Sequence, residues 1–155
     1  MRSILSISNS RRLLLRANLY ALVTAAYRPS IDPETAVNAK WIIGLVTSEL
    51  PKATVWSTRI ALCKSIQTFI GNCKSVPQLS VPEDLISSLW ARLKIVAGDR
   101  GYESVRTAAA KAISDFISWV DEHPEWNTTQ SIIKLELPSI IAEETSGVIR
   151  AELTR

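Results

Sequence analysis

The chain repeats itself at a period of 47 residues, and that constrains its fold more than any single motif. With Arg59 placed over Arg106, Ser57, Arg59, Ala61, Lys64, Ile66, Phe69 and Ile70 fall on Ser104, Arg106, Ala108, Lys111, Ile113, Phe116 and Ile117. Pro33-Glu34 with Trp41 matches Pro82-Glu83 with Trp90 at an offset of 49, and a loop of variable length between two helices would produce that two-residue difference. Self-similarity at this period is the signature of stacked repeats, each of which buries its apolar face only against its neighbours.

Inside each unit the apolar period is helical. Val105, Ala108, Ala109, Ala112, Ile113, Phe116, Ile117 and Val120 step by three and four, which predicts one buried helix face. Thr107, Lys111, Ser114 and Ser118 lie opposite and can meet water, and Leu62, Cys63, Ile66, Phe69 and Ile70 repeat the stripe one unit earlier. A first helix precedes each: Val37, Trp41, Ile42, Leu45 and Val46, then Leu85, Ile86, Leu89, Trp90, Leu93 and Val96. Pro33 and Pro82 suit first turns, where a missing N–H costs nothing, and Glu34 and Glu83 oppose the helix dipole. Gly98, Gly101 and Pro51 punctuate the connections.

Each unit therefore reads as helix, tight turn, helix, within the length range of HEAT and armadillo repeats. Gly98-Asp99, then Val105-Arg106 followed by Ala108-Ala109-Ala110 and Ala112-Ile113, resembles the heart of a HEAT repeat. The resemblance implies an all-α solenoid, an armadillo-like superhelix of about three repeats. Its parts would be a basic segment and partial first repeat at 1–31, repeats at 32–75 and 82–122, and an incomplete repeat at 128–155. Pro138 would kink the first helix of that last unit. A short final helix would leave an apolar face uncovered, so a longer array or a partner at the ends is expected.

The resemblance also implies a ladder in which a turn carboxylate meets the arginine of a neighbouring repeat. Arg16, Arg59, Arg106 and Arg150 supply an arginine in every unit; Asp99 and Glu143-Glu144 supply acids, whereas Lys52 stands in the turn before Arg59. Second helices of such arrays line the concave surface, which makes Lys64 and Lys111 the candidate partner-facing pair. A solvated lysine face is the plainer alternative. Pro-Glu, the Trp-containing first helix and Val55-Trp56-Ser57-Thr58-Arg59 with Phe69-Ile70-Gly71 are most similar to the C-terminal HEAT array of the large proteasome-associated adaptor and scaffold family. That similarity implies protein partners, proteasome subunits among them, and a cytoplasmic or nuclear location. Nuclear transport receptors and phosphatase scaffolds share the same repeat grammar.

Several chemistries have no foothold. A single histidine, His123, excludes multi-histidine metal sites, and its place at a helix end suits it to cap carbonyls. Cys63 and Cys73, ten apart, fit no redox or zinc spacing; on one helix they lie about 15 Å apart, too far for a disulfide. Gly71-Asn72-Cys73-Lys74-Ser75 lacks the glycine before lysine that a phosphate loop needs. Asp84, Asp115 and Glu136 are scattered among solvated faces, so no catalytic residue, cofactor or metal is expected, and the reading is non-enzymatic. Trp41 and Trp90 have core phase, while Trp56, Trp119 and Trp126 do not show a clear one. Asn127-Thr128-Thr129 provides N-cap residues.

A formal charge of +3 demands neither a nucleic acid nor a membrane, and no apolar run reaches the 18 or so residues of a membrane span, so a soluble intracellular protein is expected. The charge is uneven, however. Residues 1–31 carry five arginines and no acid, which fits a cleaved mitochondrial leader. The alternative, a basic first helix of the folded domain, is favoured because residues 12–27 fit the repeat.

Overall fold

The computed structural model describes residues 33–49, 56–75 and 81–155. Expectations that fall on residues 1–31, including Arg16 and the leader, and those on Pro51 and Lys52, lie outside these residues, as does the side chain of Val37. Among the described residues six α-helices follow in order: α1 Pro33–Glu49, α2 Trp56–Lys74, α3 Glu83–Ala97, α4 Glu103–Asp121, α5 Asn127–Glu143 and α6 Gly147–Leu153. A 3-10 turn, Pro124–Trp126, precedes α5. No strand occurs among the described residues. The architecture is all-α, with successive helix pairs laid side by side as in an α-solenoid.

The helices form two layers. First helices α1, α3 and α5 pack in one, second helices α2, α4 and α6 in the other, and α3 against α4 joins them. Helix α4 is central, touched by α2 and α6 on its flanks and by α3 and α5 from the other layer. Its position explains its burial. Val105, Ala108, Ala109, Ala112, Ile113, Phe116 and Val120 are buried as their spacing predicts, with Ile117 only half-buried. Ala110 and Trp119, outside that stripe, are buried as well, because a helix flanked on both sides needs more than one apolar face. The run Ala108-Ala109-Ala110 keeps those flanks small enough for close approach.

Burial also redraws the first unit. Trp41 is 58% exposed, not in the core, and Ile42, Ile43 and Val46 are buried instead. These three stand 47 residues before Leu89, Trp90 and Leu93, all buried, while Trp41 corresponds to exposed Ser88. One period of 47 thus relates the described parts of both helices. The offset of 49 suggested by the Pro-Glu and Trp matches is superseded: Ile43, not Trp41, fills the place of Trp90.

Aromatic packing runs from the first pair through the second to the connection into the third. Trp90 and Phe116 stack across the layers with centroids 6.1 Å apart, and Phe69 meets Trp119 edge-on at 6.3 Å. Trp119 and Trp126, of uncertain phase in the sequence, are both buried and lie 5.0 Å apart at near-right angles. The Trp126 indole donates to the Val81 carbonyl at 3.1 Å, tying the α4–α5 connection to the residues that lead into α3. His123 does not cap a helix with its ring. The imidazole stacks on Trp126 at 4.1 Å and its Nδ1 sits 2.7 Å from Glu125 Oε1.

Candidate functional site

Side-chain bonds between neighbouring helix pairs join residues about one repeat apart, so they set the stacking register. In the second-helix layer, Arg59 Nη1 donates to Asp99 Oδ2 at 2.5 Å and Gln67 Nε2 to Asp115 Oδ2 at 3.1 Å. Lys74 Nζ donates to the Ser118 hydroxyl at 2.6 Å and lies 3.6 Å from Glu122. In the first-helix layer, Trp90 Nε1 and Lys94 both donate to the Glu136 carboxylate, and Ser87 bonds Thr129. Asp115 and Glu136 therefore serve as inter-helix acceptors, rather than lying loose among solvated groups.

Asp99 occupies a turn built to hold a carboxylate. Its Oδ1 accepts the Gly101 N–H at 2.8 Å and the Tyr102 N–H at 3.3 Å, which satisfies donors at the start of α4. A Cβ on Gly101 would sit 3.3 Å from that oxygen, so glycine there lets the carboxylate close in. Burial opposes ionisation of Asp99, but the Gly101 and Tyr102 amides and the Arg59 guanidinium outweigh it and hold the acid below its usual pKa.

The next rung repeats this chemistry with a different acid. Arg106 Nε donates to Glu144 Oε2 at 3.1 Å, and its Nη1 to the Asp99 carbonyl at 3.0 Å. Both side chains are nearly out of water, 12% and 4% exposed. Burial again opposes the charge on Glu144; the Ser146 N–H and Arg106 reverse the balance and lower its pKa. Glu143 instead pairs with Arg100 at an exposed site. Arg150 is exposed on α6 and makes no ion pair among the described residues.

Two features escaped the sequence. The Glu83 carboxylate accepts the Thr129 N–H at 2.8 Å, so the start of α5 is capped from the preceding pair and not by Asn127 or Thr128. Pro124-Glu125, just ahead of α5, is a third Pro-Glu, and noticing it would have marked the start of the third unit. Pro138 does lie inside α5. A groove of ≈ 310 Å³ opens beside it, between Lys94, Ala97, Leu135, Ser139 and Ile140.

Lys64 on α2 and Lys111 on α4 are exposed, at matching places in their repeats. Cys63 and Cys73, both on α2, are buried free thiols whose pKa burial pushes up to about 12. No three His, Cys, Asp or Glu side chains among the described residues are grouped to hold a metal ion, and no helix among them is long and apolar enough to cross a membrane.

A repeated pair of helices, cross-linked arginine to turn carboxylate at each step, is the geometry of ARM- and HEAT-type arrays. The profile of the family described as "ECM29, C-terminal ARM-like repeats" matches residues 6–155. The chain belongs to that family. Comparison with curated proteins and with solved structures finds no match. As a member of the ECM29 C-terminal ARM-like family, the chain is a helical-repeat domain. Arg59, Asp99, Arg106, Gln67 and Glu136 all face neighbouring helices.

Proposed function

We propose that this chain is a non-enzymatic scaffold that binds other proteins along its solenoid surface, as part of a proteasome-associated quality-control adaptor. What supports the reading is the match of the ECM29 C-terminal ARM-like repeat family over residues 6–155, together with the similarity of the Pro-Glu and Trp-containing helices to a proteasome-associated adaptor family. The mechanism is shape. Stacked pairs present parallel helices in a fixed register, and modest contacts to successive helices add along the array. Within this proposal Lys64 and Lys111 belong to the partner-facing surface, the location is cytoplasmic or nuclear, and the partners are proteasome subunits.

Affinity purification of the tagged full chain from cells at near-physiological salt tests this. Stoichiometric recovery of proteasome subunits is the expected result. Recovery of transport cargo or phosphatase subunits in their place would refute the proteasome reading and keep a binding scaffold. Enzymatic turnover lost on mutating an exposed side chain would overturn the non-enzymatic part.

A further inference from the structure

Among the described residues three second helices carry the same lateral flank, and the structure shows what covers it in two of them. In α2 the flank runs through Arg59, Cys63 and Gln67, and in α4 through Arg106, Ala110 and Ser114, residues four apart and so on one side of a helix. The next helix pair closes each. Asp99 and Asp115 accept from Arg59 and Gln67, and Cys63 between them is buried. Glu144 and the Glu152 carbonyl accept from Arg106 and Ser114, and Ala110 between them is buried too. In both cases a carboxylate from the turn of the following pair meets the arginine, and its second helix lies along the rest of the flank.

Helix α6 presents that flank open. Its equivalent places, 44 residues after Arg106 and Ala110, are Arg150 and Thr154. The inner face fixes the alignment, because Ile149 and Leu153 are buried as Val105 and Ala109 are at the same offset. Arg150 and Thr154 are both exposed. The acids nearest in sequence, Glu143, Glu144 and Glu152, pair with Arg100, Arg106 and Arg155, so the described residues supply Arg150 with no carboxylate. We propose that this flank of α6 docks a helix pair of a different protein, whose turn carries an Asp or Glu that meets Arg150 and whose second helix lays a small or apolar side chain on Thr154. The two covered copies of the same flank specify that chemistry. A second copy of this chain does not match it. Residues 50–55, which join its first described pair, hold Lys52 and no acid, and residues 1–31 hold no acid either, so stacking through that end would bring no turn carboxylate to Arg150. The inference rests on the scaffold reading above and adds where, and by what chemistry, one partner is held.

Photo-cross-linking in cells tests this, with the tagged full chain carrying p-benzoylphenylalanine in place of Thr154 and the joined peptides sequenced by mass spectrometry. The expected product links position 154 to a different protein, within a helix-turn-helix segment that bears Asp or Glu in its turn. Arg150→Glu should lower the yield about tenfold or more, because a charge-assisted contact becomes a repulsive one. Replacing the partner's turn carboxylate by arginine should restore the cross-link to R150E. Lys40→Glu, at an exposed lysine of α1, should leave the yield unchanged. Arg150 is exposed, so an unaltered melting temperature is expected for R150E and verifies the fold. Cross-links to another copy, to another stretch of the same polypeptide, or to a segment without a carboxylate would each overturn the proposal, as would no cross-link or a yield indifferent to R150E. The purification above, repeated with R150E, separates the two readings. Proteasome subunits recovered equally by both chains, with no cross-link from position 154, would leave the scaffold standing and refute this flank. A charge-dependent cross-link to a protein outside the proteasome would support the flank and refute the adaptor.

Discussion

Replacing Arg106 by methionine removes the more buried ladder arginine while keeping most of its stem volume. Two bonds disappear, to Glu144 and to the Asp99 carbonyl, and Glu144 is left as a carboxylate only 4% exposed. Removing one partner of a buried ion pair typically costs 3–5 kcal/mol, because the remaining charge is neither solvated nor paired. The Ser146 N–H still serves Glu144, and Arg106 keeps slight access to water, so the lower end, about 3 kcal/mol, is expected. In a chain of this length that lowers the melting temperature by about 6–12 °C. Urea unfolding followed by far-UV circular dichroism measures it, with tryptophan fluorescence as the second probe. The R106M/E144M double variant should recover a large part of the loss, since an apolar pair leaves no stranded charge. A loss below about 1 kcal/mol for R106M, in the range of surface pairs, would refute the view that the turn ladder holds the repeats in register.

The other expectations concern separate parts of the molecule. Asp99, Glu136 and Glu144 are all held below their ordinary pKa when folded, so their contribution is present at neutral pH and lost as pH falls through those depressed values; chemical denaturation between pH 7 and pH 3 should show stability falling with acid. Thr58 has a buried hydroxyl with no hydrogen-bond partner among the described residues, so Thr58→Val should be neutral or stabilising in urea melts. Glu83→Ala uncaps α5 and should cost about 1 kcal/mol, with faster amide exchange confined to residues near Thr129. Cys63 and Cys73 should resist iodoacetamide at pH 8 in the folded chain and react once urea unfolds it, as mass spectrometry would show.

The local half of this architecture was legible in the residues alone. Helical spacing from Val105 to Val120 marks the inner face of α4, and the arginines at 59 and 106 mark equivalent places in two repeats, because both signals arise within one helix or from one copied unit. Gly98-Asp99 likewise identifies a turn, since Asp and Gly have their own backbone reasons to be there.

Lateral neighbours are another matter. Trp41 matched Trp90 by residue type, yet burial pairs Ile43 with Trp90, because the face a helix buries depends on where adjacent helices lie. Glu143 and Glu144 stand side by side in sequence, and only the end of α5 decides that Glu144 turns inward to Arg106 while Glu143 stays in solvent. Trp119 and Trp126 are buried because the α4–α5 connection folds back on the residues entering α3, a contact 45 residues long in sequence. Lys74 and Lys64 share a helix and a charge; the partners that α4 presents to one and not the other come from packing, which periodicity within a single helix does not encode.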